Sequence, residues 1–120
     1  MKALKNDPPT CTENLLAMRD TLDILGGKWK LLILHYLITR EKEVNTFKKI
    51  QREVLGISAK VLTKELKDLE VNMLVEREEL NTKPKTVEYR ITDYGRSSKD
   101  LIKQLVYWGK NHRYKMLQSK

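Results

Sequence analysis

Apolar positions recur at two different periods along this chain, and the change of period divides it. Residues 10–25, TCTENLLAMRDTLDIL, follow helical spacing. Thr10 or Thr12 is the expected cap, with Glu13 placed for a capping box with Thr10. Gly26 and Gly27 should stop that helix and turn the chain. KWKLLILHYLIT, residues 28–39, resumes as a helix apolar on most faces, which assigns it to the centre of the core. After the charged REKE comes TFKKIQREV, a brief amphipathic helix with Phe47, Ile50 and Val54 on one side.

A tight turn centred on Gly56 leads into residues 57–71, ISAKVLTKELKDLEV. At about 100° per residue, Val61, Leu62, Leu66, Leu69 and Met73 fall on one side of this helix. Lys60, Thr63, Lys64 and Lys67 gather on the other. Ser58 is placed to cap it by accepting from an early backbone N–H. Helix, short glycine turn, helix is the helix-turn-helix arrangement.

Beyond residue 73 the period drops to two. LVEREEL and TVEYRIT predict antiparallel strands, with Val75 inward in the first and Val87, Tyr89 and Ile91 inward in the second. NTKPK between them is a turn that carries Lys83 and Lys85 at its tip. The closing stretch from Thr92 to Leu117 predicts a helix capped by Thr92 or Asp93, its last residues frayed. Leu101, Leu105 and Trp108 form an apolar stripe there, the expectation being a dimer seam rather than a ligand cavity. The predicted architecture is mainly α with a small β-hairpin, a single winged helix-turn-helix domain over residues 1–120. NDPP marks residues 1–10 as a flexible arm, and 93–117 is the C-terminal dimerisation helix.

Composition sharpens the functional side. Lysine and arginine number 24 against 16 acids, a formal charge of +8, which favours a polyanionic partner. The major groove of B-DNA admits one α-helix between walls of phosphate. A helix with an apolar stripe against its own core and cations opposite suits that groove. Ser58, Ala59 and Lys60 lie at the end that points deepest in helix-turn-helix proteins, with Thr63, Lys64 and Lys67 behind them. Lys83 and Lys85 are expected on the DNA backbone or minor groove. Arg77 and Arg90 are expected to pair with Glu76, Glu78, Glu79 and Glu88, leaving only the hairpin tip for DNA. An ordinary solvated lysine face is the plain alternative. A reading from another class is a protein–protein adaptor that docks through the winged helix.

Other chemistry is not predicted. His35 and His112 lie far apart and, with one cysteine, fall short of a four-ligand zinc site. GGKWK lacks the Lys-Ser/Thr ending of a phosphate loop, and Trp29 is assigned to the core instead. No acid, base or nucleophile constellation suggests an enzyme, and no cofactor is called for. The longest apolar run, LLILHYLI, is too short to span a bilayer, and the start of the chain has no apolar signal core. A soluble, cytoplasmic protein is expected, with Cys11 outside any internal disulfide framework.

LDILGGKWKLLIL, GISAKVLTKELKDLE, LVERE, KPKTVEYRITDYG and the late Trp-Gly together resemble HxlR-type transcriptional regulators, a MarR-like branch of winged-helix proteins. The resemblance runs from Cys11 to Trp108. It implies a homodimer on palindromic operator DNA, joined through its first and last helices, which brings Leu15 and Leu22 into the seam beside Leu101, Leu105 and Trp108. Some members sense electrophiles or oxidants through an N-terminal cysteine, a position Cys11 matches. A helix N-terminus favours a thiolate there. Three departures stand out: Thr12 follows Cys11 where the family carries proline, Thr46 precedes Phe47 where it carries arginine, and REKEVNTF lacks a glycine.

Overall fold

The computed structural model describes residues 11–119, so the N-terminal arm and the Thr10 cap lie outside the described residues. Helix α1 (Cys11–Leu25) buries no side chain completely; Ile24 and Leu25 at its end are half-buried against the core. Thr12, an expected cap, instead sits inside its first turn. Gly26 donates its N–H to the Leu22 carbonyl at 2.7 Å, and Gly27 follows with φ of +88°, the left-handed step that redirects the chain. Helix α2 (Lys30–Thr39) then runs through the middle of the molecule and buries Ile33, Leu34, Tyr36 and Leu37.

Helix α3 (Phe47–Glu53) starts at Thr46, whose hydroxyl accepts from the Lys49 N–H at 3.3 Å. It presents Ile50 to the core, joined by Val54 just beyond its end, with Phe47 partly covered. Gly56, at φ of +88°, makes the turn. Helix α4 (Ala59–Val71) follows, with Leu62, Leu66 and Leu69 fully buried. The apolar face is narrower than its pattern suggested. Val61 lies at the edge, 36% exposed. Met73 is off the helix with φ of +62° and 70% exposed. That left-handed residue closes α4, and Leu74, whose N–H reaches the Leu69 carbonyl, takes the buried place.

Strands β1 (Val75–Leu80) and β2 (Thr86–Ile91) pair antiparallel with Val75 opposite Ile91 and Leu80 opposite Thr86. A bridge from Thr46 to Glu88, with the Tyr89 N–H donating to the Asn45 carbonyl at 2.8 Å, ties the start of α3 to the hairpin. Val75, Tyr89 and Ile91 are buried on one face, which further out carries Arg77, 3.8 Å from Glu79. On the other face Arg90 stands 3.6 to 3.9 Å from carboxylates of Glu76, Glu78 and the buried Glu88.

The last segment differs from its expected course. Thr92 caps a single 3-10 turn (Gly95–Ser98), its hydroxyl accepting from the Gly95 N–H and donating to the Met73 carbonyl. The α-helix proper, α5 (Lys99–Gln118), begins six residues after Asp93, and neither Thr92 nor Asp93 caps it. Nor does it fray early: it holds to Gln118. Only Ile102 of α5 is buried, docked toward α2. The result is a mainly helical winged helix with a two-stranded hairpin. No helix among the described residues is long and apolar enough to cross a membrane.

Candidate nucleic-acid interface

Helix α4 is held from behind and bare in front. Its inner side carries three fully buried leucines and one buried carboxylate, Glu65. Lys30, the first residue of α2, reaches both oxygens of that carboxylate at 3.1 and 3.2 Å and stands 3.3 Å from Asp68. Lys30 and Glu65 are each only 8% exposed. A charged pair this buried is fixed in direction by its hydrogen bonds, so it sets the rotation of α4 against α2 as well as the distance between them.

The outer side starts at Ser58. Its hydroxyl oxygen accepts from the Val61 N–H at 3.1 Å, which satisfies one free donor of the first turn. The hydroxyl hydrogen has no acceptor among the described residues. Ala59 and Lys60 are exposed beside it, and Lys67 is exposed on the same face as Lys60, two turns further on; neither lysine has an ion-pair partner among the described residues. Thr63 is exposed too, but its hydroxyl donates to the Ala59 carbonyl at 2.8 Å, so as placed it offers DNA an acceptor.

Lys64 differs from its expected place among the cations offered to DNA, because it is already paired. Its ammonium lies 3.1 Å from Asp68 and 3.7 Å from Glu65. The hydrogen bond to Asp68 raises its pKa above the ordinary lysine value, and the same bond, followed by that of Lys30, lowers Asp68. One helical turn apart, the two residues are at the spacing at which such side chains meet. Lys64 is thus exposed but already neutralised, while Lys60 and Lys67 carry the uncompensated charge.

Lys83 and Lys85 are both exposed at the hairpin tip, where the Thr82 hydroxyl bonds to the Pro84 carbonyl at 2.9 Å across a cis Lys83–Pro84 bond. Lys85 shares a surface hollow with Thr46, Phe47 and Lys48 at the start of α3. Lys48 is exposed and unpaired among the described residues, a cation beside the tip that the pattern of α3 gave no reason to single out. Trp29 is half-buried against the core, and Lys28 covers its ring at 4.7 Å.

The remaining sequence-predicted residues lie elsewhere. Cys11 is an exposed free thiol at the first described position of α1. Leu15 (56%), Leu22 (62%), Leu101 (39%), Leu105 (46%) and Trp108 (67%) are all exposed. Leu101 shares a hollow with Ile24 and Leu25, so the end of α1 and the start of α5 are neighbours. Trp108 stacks on His112 at 5.0 Å between ring centroids.

A rigidly seated second helix whose front is cationic, with a hairpin beside it, defines a MarR-like winged helix-turn-helix regulator. Comparison with known proteins agrees. The HTH-type transcriptional regulator YybR of Bacillus subtilis is 36% identical over 93 residues, 78% of this chain and 72% of that one. The crystal structure of the regulator YtcD superposes with a TM-score of 0.73 at 34% identity, covering 81% of this chain and 96% of the other. The redox regulator HypR in its reduced form gives 0.74 at 32% identity, over 87% and 99%. The model of the HxlR-like helix-turn-helix family matches residues 24–116, and the chain belongs to that family of transcriptional regulators.

Proposed function

We propose that this regulator binds DNA sequence-specifically as a homodimer on a palindromic operator, with α4 in the major groove and the hairpin tip on the flanking backbone. The observation that carries the reading is the two-sidedness of α4: a buried Lys30–Glu65 pair and three leucines behind, free Lys60 and Lys67 in front. Ser58 and Ala59 give the groove-facing end a hydroxyl donor and a small side chain. The exposed apolar side chains of α1 and α5 supply a seam for a second subunit, which would set the two α4 helices on half-sites about 34 Å apart.

Cys11 is the candidate oxidant sensor in this reading, supported by its exposure and by the likeness to HypR, a redox regulator. As the one cysteine of the chain it has two reversible outcomes, a disulfide to the partner's Cys11 or a mixed disulfide with a small thiol. Fluorescence anisotropy with duplexes tests the whole. A palindromic duplex selected from random sequence is expected to bind at least about a thousandfold more tightly than a scrambled one at physiological salt. Failure to bind any duplex even at low salt would favour an adaptor instead. Truncation before Leu101 is expected to give monomers in sedimentation velocity, and intact dimers would refute the seam. Cys11→Ser is expected to remove any effect of diamide on operator affinity.

A further inference from the structure

Between α2 and α5 lies a cavity of about 220 Å³ that the DNA-binding face does not use. Its apolar lining is aliphatic: the buried Ile102 and the exposed Val106 from α5, and the half-buried Ile38 from α2. Its rim is cationic, formed by Lys99 and Lys103, one turn apart on α5, with the exposed His35 across from them. No carboxylate lines it, and neither lysine has an ion-pair partner among the described residues. Leu101, Leu105 and Trp108 point about 140° away around α5 at 100° per residue, so a subunit seam on them leaves this cleft open.

We propose that the α2–α5 cleft is a binding site for a small aliphatic carboxylate, its chain on Ile38, Ile102 and Val106 and its charge between Lys99 and Lys103. A dry apolar cavity of about 150 Å³ takes a six-carbon hydrocarbon. The volume here therefore suits a chain of about six carbons with its carboxylate, and lies below the range that holds drug-sized ligands. The two unpaired ammonium groups select the sign of the head group, and the aliphatic side chains of Ile38, Ile102 and Val106 suit a flexible hydrocarbon chain. The cleft also touches the DNA-binding machinery mechanically, because α2, which forms one wall, holds α4 through Lys30.

Calorimetric titration of the full chain at constant ionic strength tests the site without DNA, so its failure is separable from failure of operator binding. The probes are hexanoate, butanoate, 1-hexanol and hexylammonium. Hexanoate should saturate one site per chain. Butanoate should bind about fifteenfold more weakly, each lost methylene weakening binding about fourfold. Hexylammonium should not bind. Lys99→Ala with Lys103→Ala should weaken hexanoate by about two- to fivefold for each lysine and leave 1-hexanol unchanged. Val106→Trp, with circular dichroism confirming the fold, should abolish both. Equal binding of hexanoate and hexylammonium, absence of hexanoate binding, or full binding to Val106→Trp would overturn the proposal.

Discussion

Cutting the Lys30–Glu65 pair from one side or from both separates what holds α4 in place from what merely accompanies it. Both side chains are about nine-tenths covered, at 11% and 10% exposure, so removing one partner strands a charge away from water. Breaking a buried pair in this way costs about 3–5 kcal/mol. Here the lower end applies, because each survivor keeps a second partner. Lys30→Met leaves Glu65 only Lys64, 3.7 Å away on a side chain 71% exposed, and Glu65→Leu leaves Lys30 only Asp68 at 3.3 Å. We expect about 3 kcal/mol of destabilisation from each single substitution. The double variant replaces the pair with apolar volume, which is often neutral or stabilising, and should lie within about 1 kcal/mol of the wild type. Urea unfolding followed by far-UV circular dichroism reads this, at one fixed chain concentration because subunit association shifts apparent stability. With a slope of about 1–3 kcal/mol per molar, each single loss moves the midpoint by 1 M or more. Additive behaviour, with the double variant about 6 kcal/mol down, would show that the pair is not coupled and that α4 is seated by its leucines alone.

Ser58→Ala should cost about 1 kcal/mol in the same assay, since the Val61 N–H loses its acceptor; no change would mean that the cap is not formed. Gly56→Ala should cost about 1–2 kcal/mol, because φ of +88° puts a Cβ in the left-handed region although nothing crowds it closer than 3.7 Å. Asp68 has a lowered folded pKa, so its contribution is present above the ordinary value of 3.8 and is lost as pH falls through the lower folded value. Asp68→Asn should flatten the acid side of a midpoint-against-pH curve, and an unchanged acid limb would contradict the Lys64 and Lys30 contacts.

Much of the fold was legible because burial leaves a period behind. The two glycine turns, the leucines of α4, the Thr-Phe start of α3 as a helix and the inward Tyr89 and Ile91 all follow from one-dimensional spacing. Glu65 did not, because a buried carboxylate is recognised only by its partner, and Lys30 is 35 residues away in sequence. The same blindness made Lys64 look free, although Asp68 at i+4 was the readable signal. Met73 was misplaced because the helical period says nothing of where a helix stops, and a left-handed methionine is an unusual stop. Thr92 was recognised as a cap but assigned to the wrong element: it serves a 3-10 turn that no apolar repeat marks.

The central claim is that DNA affinity rests on cations that the fold leaves uncompensated, and salt-dependent titration of an operator duplex measures that most directly. Each phosphate contact contributes about 0.9 to the slope of log affinity against log salt. Lys60→Ala and Lys67→Ala, whose side chains have no partner among the described residues, should each flatten the slope by about that amount. Lys64→Ala should flatten it less, since that ammonium must first leave Asp68. Slopes unchanged by Lys60→Ala and Lys67→Ala would contradict the account and move the DNA-binding surface off the front of α4.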